Sequence, residues 1–220
     1  VARPVAYNGQ GEIMKLAIID LDGVVADNTA RFAKAEEAKQ AFITQKTAEK
    51  IERFHRTEIG WSSETVEKQA ANLYWQTAFT PELVSLDTLI DGVNEALLEL
   101  QYTHGHKLIL LTSRPESMRE ATMEWLYQHI DISLLFKLFM KAPAFQYTKT
   151  TVWKAGMVQT LEALYGATDL LIIDDEQANI NEHLKYFSNI QTREICKSLP
   201  EAVAKLNGTW VEPDPFLPED

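Results

Sequence analysis

Three apolar runs, each closed by residues able to do chemistry, constrain this chain more than any other feature. Leu16-Ala17-Ile18-Ile19 runs into Asp20-Leu21-Asp22-Gly23-Val24. Leu108-Ile109-Leu110-Leu111 ends in Thr112-Ser113-Arg114, and Leu170-Leu171-Ile172-Ile173 ends in Asp174-Asp175. Four consecutive apolar residues read as a strand buried on both faces, the kind a parallel sheet requires. Open α/β sheets take their ligands at the carboxyl edge of such strands. Asp-x-Asp-Gly alone is common in solvated turns. Three buried strands ending in acid, hydroxyl and acid at one edge are far more specific. Carboxylates placed there are costly unless they hold a metal or react.

The rest of the chain supplies the helices between those strands. A helix is expected from about Asp91 to Tyr102, broken at His104-Gly105, then a strand over Lys107 to Leu111. Ser113 and Glu116 have capping-box spacing, with Pro115 in the first turn, and predict a helix to Ile130. A strand at Leu134 to Met140, a helix at Thr151 to Tyr165 ending near Gly166, and the strand Leu170 to Ile173 follow. A helix at Glu176 to Phe187, a strand at Ile190 to Ile195 and a helix at Pro200 to Leu206 complete the series. Strands alternating with helices imply right-handed βαβ units and an α/β fold.

After Asp22 the alternation stops for about 65 residues. Thr29 to Arg56 has apolar residues at helical spacing, among them Phe32, Ala35, Phe42, Ile51 and Phe54. Gly60-Trp61-Ser62-Ser63 is a break, with Ser63 as N-cap of a second helix marked by Val66, Ala70, Leu73 and Thr77. Pro81 ends it. The segment 28–87 therefore reads as a helical cap, and 13–27 with 88–210 as the α/β core. Residues 1–12 and 211–220 read as tails, the second acidic and proline-rich.

The formal net charge of −11 over 220 residues disfavours binding to duplex nucleic acid. Small anionic substrates remain open, because a bound cation reverses the local field. The one basic stretch, Arg31 to Arg56 with Lys34, Lys39, Lys46, Lys50 and Arg53, reads as a solvated helix face. A weak attractor for phosphate is the sharper alternative. The single cysteine, Cys196, precludes an intrachain disulfide. No apolar run approaches the roughly 18 residues of a membrane span, and the first residues lack a secretion signal. A cytoplasmic protein is the expectation. The five histidines, His55, His104, His106, His129 and His183, have no metal-ligand spacing and read as surface or helix-end residues. The oligomeric state is left open.

Taken in order, Asp20-Leu-Asp22-Gly, Thr112, a lysine and Asp174-Asp175 resemble the four motifs of the haloacid dehalogenase superfamily of phosphotransferases. The resemblance covers most of the chain outside the insertion and tails. It implies a Rossmann-like parallel sheet, order 3-2-1-4-5 along the chain, with the helical cap inserted after the first strand.

The resemblance also implies roles. Asp20 would attack phosphorus and form an aspartyl-phosphate, and Asp22 would act as general acid and then base. The Asp22 backbone carbonyl, Asp20 and Asp174 or Asp175 would surround Mg²⁺, which suits hard oxygen ligands. Thr112 would donate its hydroxyl to a phosphate oxygen, helped by the amide of Ser113 at the helix start. Lys154 stands about 20 residues before Asp174, as in phage-type polynucleotide phosphatases of the superfamily, with Lys149 and Lys141 as rivals. Arg114 would either clamp substrate or form an ion pair that holds its loop.

The implied partner is a small phosphorylated metabolite, a nucleotide above all. The cap is rich in aromatics (Phe32, Phe42, Phe54, Trp61, Tyr74, Trp75, Phe79), most of them core, with one or two able to stack a base. The Asp-x-Asp-Gly-Val start and the apolar run ending in Ile172-Ile173-Asp174-Asp175 are also similar to 5′(3′)-deoxyribonucleotidases. A polynucleotide 3′-phosphatase, a phosphomutase and an idle binding protein are the alternatives. Val24 stands where many of the phosphatases have Thr, which leaves the reaction subtype open.

Overall fold

Alternate residues of the first apolar run face opposite sides of a sheet, and helices cover both sides. In the computed structural model, which describes residues 14–54, 63–185 and 193–211, strand β1 is Lys15–Ile19. Ala17 and Ile19 join one buried cluster, and Leu16 and Ile18 the other. The chain continues through β2 (Ala26–Asp27), α1 (Thr29–Phe54), α2 (Ser63–Ala78), β3 (Thr88–Leu89) and α3 (Val93–Leu98). Then come β4 (Lys107–Pro115), α4 (Arg119–His129), β5 (Leu135–Lys141), α5 (Thr150–Tyr165), β6 (Asp169–Ile173), α6 (Gln177–Lys185), β7 (Arg193–Cys196) and α7 (Leu199–Leu206).

The main sheet has the order β5-β4-β1-β6-β7 and is parallel throughout. Along the chain that is the expected order 3-2-1-4-5, so the fold is α/β and Rossmann-like. It brings β4, β1 and β6, the strands that end in hydroxyl, acid and acid, side by side. Helices α3, α4 and α7 cover one face through Leu97, Trp125, Leu126, Leu199 and Ala202. On the other face lies α5, through Trp153, Val158 and Leu161. Gly166 ends α5 in the left-handed region, at φ 61°.

The segment between β2 and β3 is helical. Helices α1 and α2 pack on each other, with Phe32 meeting Tyr74, Trp75 and Phe79 edge-on or tilted. A 3₁₀ segment, Pro81–Leu86, leads back. Helix α1 carries the pairs Lys34–Glu37, Lys39–Glu36 and Lys46–Glu49; Lys34 is exposed as expected, whereas Lys39 and Lys46 are half-buried. Among the described residues no helix is long and apolar enough to cross a membrane.

The structure corrects several expectations. Ser113 and Glu116 form no capping box: β4 continues through Pro115, with an irregularity between Thr112 and Pro115, and Glu116 pairs with Arg119 instead. Pro115 keeps extended backbone (φ −66°, ψ 151°), so the helix start is displaced to Arg119. The helix over Asp91 to Tyr102 is shorter and finishes in a π-helical turn, Glu99–Thr103. His106 and His183 are buried, not on the surface. Burial lowers the pKa of His106 and takes that of His183 down to about 4, so both stay neutral. The ribbon β2–β3, which pairs Ala26 with Leu89 and Asp27 with Thr88, has no counterpart in the sequence reading. Expectations for the two tails, for the side chains of Ser63, Phe54 and Trp61, and for 190–192 lie outside the described residues.

Candidate active site

Asp20 begins where β1 stops. Its N–H still donates to Ile173 of β6 at 2.8 Å, so the backbone is tied to the sheet while the side chain enters the opening beyond it. One carboxylate oxygen accepts from the Leu21 N–H at 2.8 Å. The other accepts from the Lys154 ammonium at 2.5 Å. Lys154 stands near the start of α5 and also donates to Asp174 at 2.8 Å. It is 2% exposed, and both of its partners are buried. Among the three lysines considered, Lys154 is the one that reaches Asp20. Lys149 is exposed at the N-cap of α5. Lys141 donates to the Thr148 carbonyl at 2.6 Å.

Asp174 is held from several sides. Its N–H donates to the Cys196 carbonyl at 3.0 Å. Its carboxylate accepts from the Glu176 N–H at 3.1 Å and from the Asn179 amide at 2.9 and 3.1 Å. Asn179, on the first turn of α6, is a buried contributor that the sequence reading passed over. Asp175 is more open. A carboxylate oxygen each from Asp20, Asp174 and Asp175 lies within 4.8 Å of the others.

Three carboxylates facing one ammonium leave the group short of positive charge. Burial pushes the Asp20 pKa up to about 7; Lys154 opposes that rise and Asp174 adds to it. Burial also works against the Lys154 ammonium, but Asp20 and Asp174 outweigh it and carry its pKa above the ordinary range. Burial and the neighbouring Asp174 raise the Asp175 pKa. An all-oxygen donor set with unbalanced negative charge fits a hard divalent cation.

Asp22 does not join that cluster through its carboxylate. One of its oxygens accepts from Arg31 at 2.6 Å and from Arg114 at 2.6 Å. The other accepts from Arg114 Nε at 3.0 Å. Asp87 faces the same two arginines, at 2.9 Å from Arg31 and 2.6 Å from Arg114. Burial works to raise the Asp22 pKa, yet the hydrogen bonds and charge of Arg114, with Arg31, hold it below the ordinary carboxylate value. Of the two roles foreseen for Arg114, the structure holds the ion pair. Its guanidinium is fully buried against Asp22, Asp87 and Thr122.

Arg31 is a larger correction. It heads the basic stretch read as a solvated face, yet it is fully buried. One signal was legible: a cation in the first turn of a helix opposes the helix dipole, and α1 has no acid there to offset it. Asp87 gave no such signal.

These groups line a cleft of about 710 Å³ beyond the carboxyl edge of the sheet. Asp20, Asp22, Lys154 and Asp175 line it, together with Ser113, Glu116, Lys141 and Gln146. Phe32, Trp75 and Phe79 of the helical segment form an aromatic wall. Trp75 stacks on Phe79 at 5.7 Å and 14°, and is 52% exposed. Ser113 rather than Thr112 lines the cleft. Thr112 is fully buried, and its hydroxyl oxygen accepts from the Arg114 N–H at 3.2 Å.

No protein-family model and no curated protein matches the sequence. Solved structures do match. A haloacid dehalogenase-like family hydrolase from Streptococcus pneumoniae is 14% identical, with 88% of this chain and 98% of that one covered and a TM-score of 0.57. A protein described as a predicted phosphatase from Clostridium acetobutylicum is 14% identical, over 90% and 100%, at 0.56. A haloacid dehalogenase-like family hydrolase from Xanthomonas campestris is 11% identical, over 91% and 93%, at 0.57. With the strand order and the acids at its carboxyl edge, these likenesses give the chain the fold of the haloacid dehalogenase-like hydrolases.

Proposed function

We propose that this chain is a phosphomonoester hydrolase that works through an aspartyl-phosphate on Asp20. One observation carries the reading: a buried carboxylate at the end of the central strand, fixed between the Leu21 N–H and the Lys154 ammonium, with two further carboxylates beside it. An ionised carboxylate needs no base to attack phosphorus. Lys154 opposes the rise that burial causes in the Asp20 pKa, which favours the ionised form, and offers positive charge to the equatorial oxygens.

In the first half, an Asp20 oxygen bonds to phosphorus as the bond to the leaving oxygen breaks. The protonated form of Asp22, which Arg114 and Arg31 disfavour, gives that oxygen its proton. In the second half, water attacks phosphorus, Asp22 takes its proton, and Asp20 is released with inorganic phosphate. Ser113, which lines the cleft where Thr112 does not, is the candidate for a hydroxyl or amide contact to phosphate. Arg114 supports Asp22. Asp20, Asp174, Asp175 and the Asp22 backbone carbonyl would hold Mg²⁺. That ion would offset the repulsion between the carboxylates and the phosphate dianion.

The aromatic wall favours a nucleoside as the leaving group. Phe32, Trp75 and Phe79 line the same cleft as Asp20, and a half-exposed indole gives a flat π-face to a base. The described residues of the helical segment that line the cleft are all aromatic. None can serve as the general base that a mutase needs in its cap. A polynucleotide 3′-phosphatase is the second reading. Its support is Tyr147, 93% exposed next to the cleft residue Gln146, where an adjoining base could stack.

The test is phosphate release, with Mg²⁺ and with EDTA, from nucleoside monophosphates, sugar phosphates and a 3′-phosphorylated oligonucleotide. Metal-dependent release from mononucleotides is expected. Preference for the oligonucleotide would favour the second reading. Release from none of them would overturn the hydrolase reading.

A further inference from the structure

We propose that Arg31 is a positioning residue through which the helical segment sets the direction of the Asp22 carboxylate. The inference rests on the reading of Asp22 as proton donor to the leaving oxygen. Arg31 is the third residue of α1 and is fully buried. Its nitrogens go to three separate pieces of chain: the Ala78 carbonyl at the end of α2 at 2.9 Å, Asp87 at 2.9 Å and Asp22 at 2.6 Å. A planar guanidinium fixes all three at once.

Arg114 completes a closed ring, Asp22–Arg31–Asp87–Arg114, of two acids and two cations. The two arginines are not equivalent. Arg114 is on β4 and moves with the sheet. Arg31 moves with α1 and α2, the helices that carry the aromatic wall. One oxygen of Asp22 is therefore held both from the sheet and from the segment that would cover the leaving group. The Asp22 side chain is 18% exposed, toward the cleft. Seating α1 and α2 over a substrate thus also aims the group that protonates it. Misplacing such a group by about 1 Å can cost about a hundredfold in rate.

A plain structural ion pair would make no distinction between leaving groups. The test compares kcat/KM, which reports transfer to Asp20 and not the later hydrolysis common to all substrates, on the alkyl phosphate turned over fastest in the panel above, whose alkoxide needs a proton, with kcat/KM on p-nitrophenyl phosphate, whose phenolate does not. Arg31→Lys keeps the charge but cannot serve three partners in one plane. The alkyl-to-aryl ratio of kcat/KM is expected to fall about tenfold or more. An equal loss on both substrates, or no loss on either, overturns the inference. Asp22→Asn is measured alongside. If it lowers the ratio and Arg31→Lys does not, the inference fails and the reading of Asp22 stands. If Asp22→Asn slows both substrates alike, the proton-donor reading fails and takes the inference with it. Where Arg31→Lys does not fold, Asp87→Asn loosens Arg31 without removing it. The ratio must then fall in the same sense, and an unchanged ratio overturns the proposal.

Discussion

Gly23 and Asp175 stand so close that a Cβ on residue 23 would lie 2.2 Å from an Asp175 carboxylate oxygen. Gly23 also has φ +83°, a region that side-chain-bearing residues rarely adopt. Glycine here is thus required twice, once for the turn after Asp22 and once to let the last acid approach the first two. Gly23→Ala should cost about 1–2 kcal/mol from backbone conformation alone, and displace Asp175 as well. The expected signature is a lower midpoint in urea together with a higher Mg²⁺ concentration for half-maximal activity. A stability loss with unchanged metal dependence would mean that Asp175 takes no part in holding the ion.

Asp20→Asn should abolish turnover, by about three orders of magnitude or more, without loss of fold. Removing one of three clustered carboxylates relieves repulsion, so its thermal midpoint in EDTA should equal or exceed that of the parent. Retained turnover in this variant would remove Asp20 from the nucleophile role.

The pH dependence of stability follows from the same residue. Asp20 has a pKa of about 7 in the folded chain against 3.8 unfolded. A raised pKa gives stability that is full below the unfolded value and is lost as pH rises through the folded one. In EDTA the parent should lose stability relative to Asp20→Asn between about pH 4 and 7, with a flat difference above. His183, depressed to about 4 by burial, works in the opposite sense. Its stability is present above its unfolded value and lost as pH falls through about 4. The difference between parent and variant cancels the His183 contribution, so a flat difference across the whole window would contradict the burial of Asp20.

Lys154→Met would leave Asp20 and Asp174 buried side by side without their ammonium. Breaking a buried ion pair on one side costs about 3–5 kcal/mol. Added Mg²⁺ should restore part of that loss, since the cation and Lys154 answer the same charge. Urea unfolding with and without the ion measures both effects. A variant as stable as the parent in EDTA would mean that the carboxylates find another partner.

Trp75→Ala should raise KM for nucleotides about tenfold, within the range for loss of one stacked base. Its kcat/KM on sugar phosphates should change little. Because Trp75 is half exposed, the fold should tolerate the change. An equal loss on sugar phosphates would assign Trp75 to packing.

The fold was legible because strands buried on both faces must be written as apolar runs, and Leu16–Ile19, Leu108–Leu111 and Leu170–Ile173 are written that way. Asp20, Asp174 and Asp175 were legible because strand ends at one sheet edge converge. Three features were not. The ribbon of Ala26–Asp27 and Thr88–Leu89 is two residues long on each side, too short for any period to register. The partnership of Arg31 with Asp87 closes over 56 positions and exists only after folding. The register irregularity after Thr112 leaves no mark in composition, so which of Thr112 and Ser113 reaches the cleft could not be read in advance.

That short ribbon has an evolutionary consequence. With Asp27 and Thr88 paired, the two ends of the long excursion are already as near as the ends of a hairpin turn. The ladder of β1 and β4 is made without α1 or α2, and the excursion reaches the core chiefly through Val84 and Asp87 near its end. The excursion is in effect an exchangeable cassette on an intact socket, free to lengthen, shrink or be replaced as the substrate changes. The tether on such exchange is Asp22: a substitute segment takes away both Arg31 and Asp87, and must suit an acid that keeps only Arg114 from the socket.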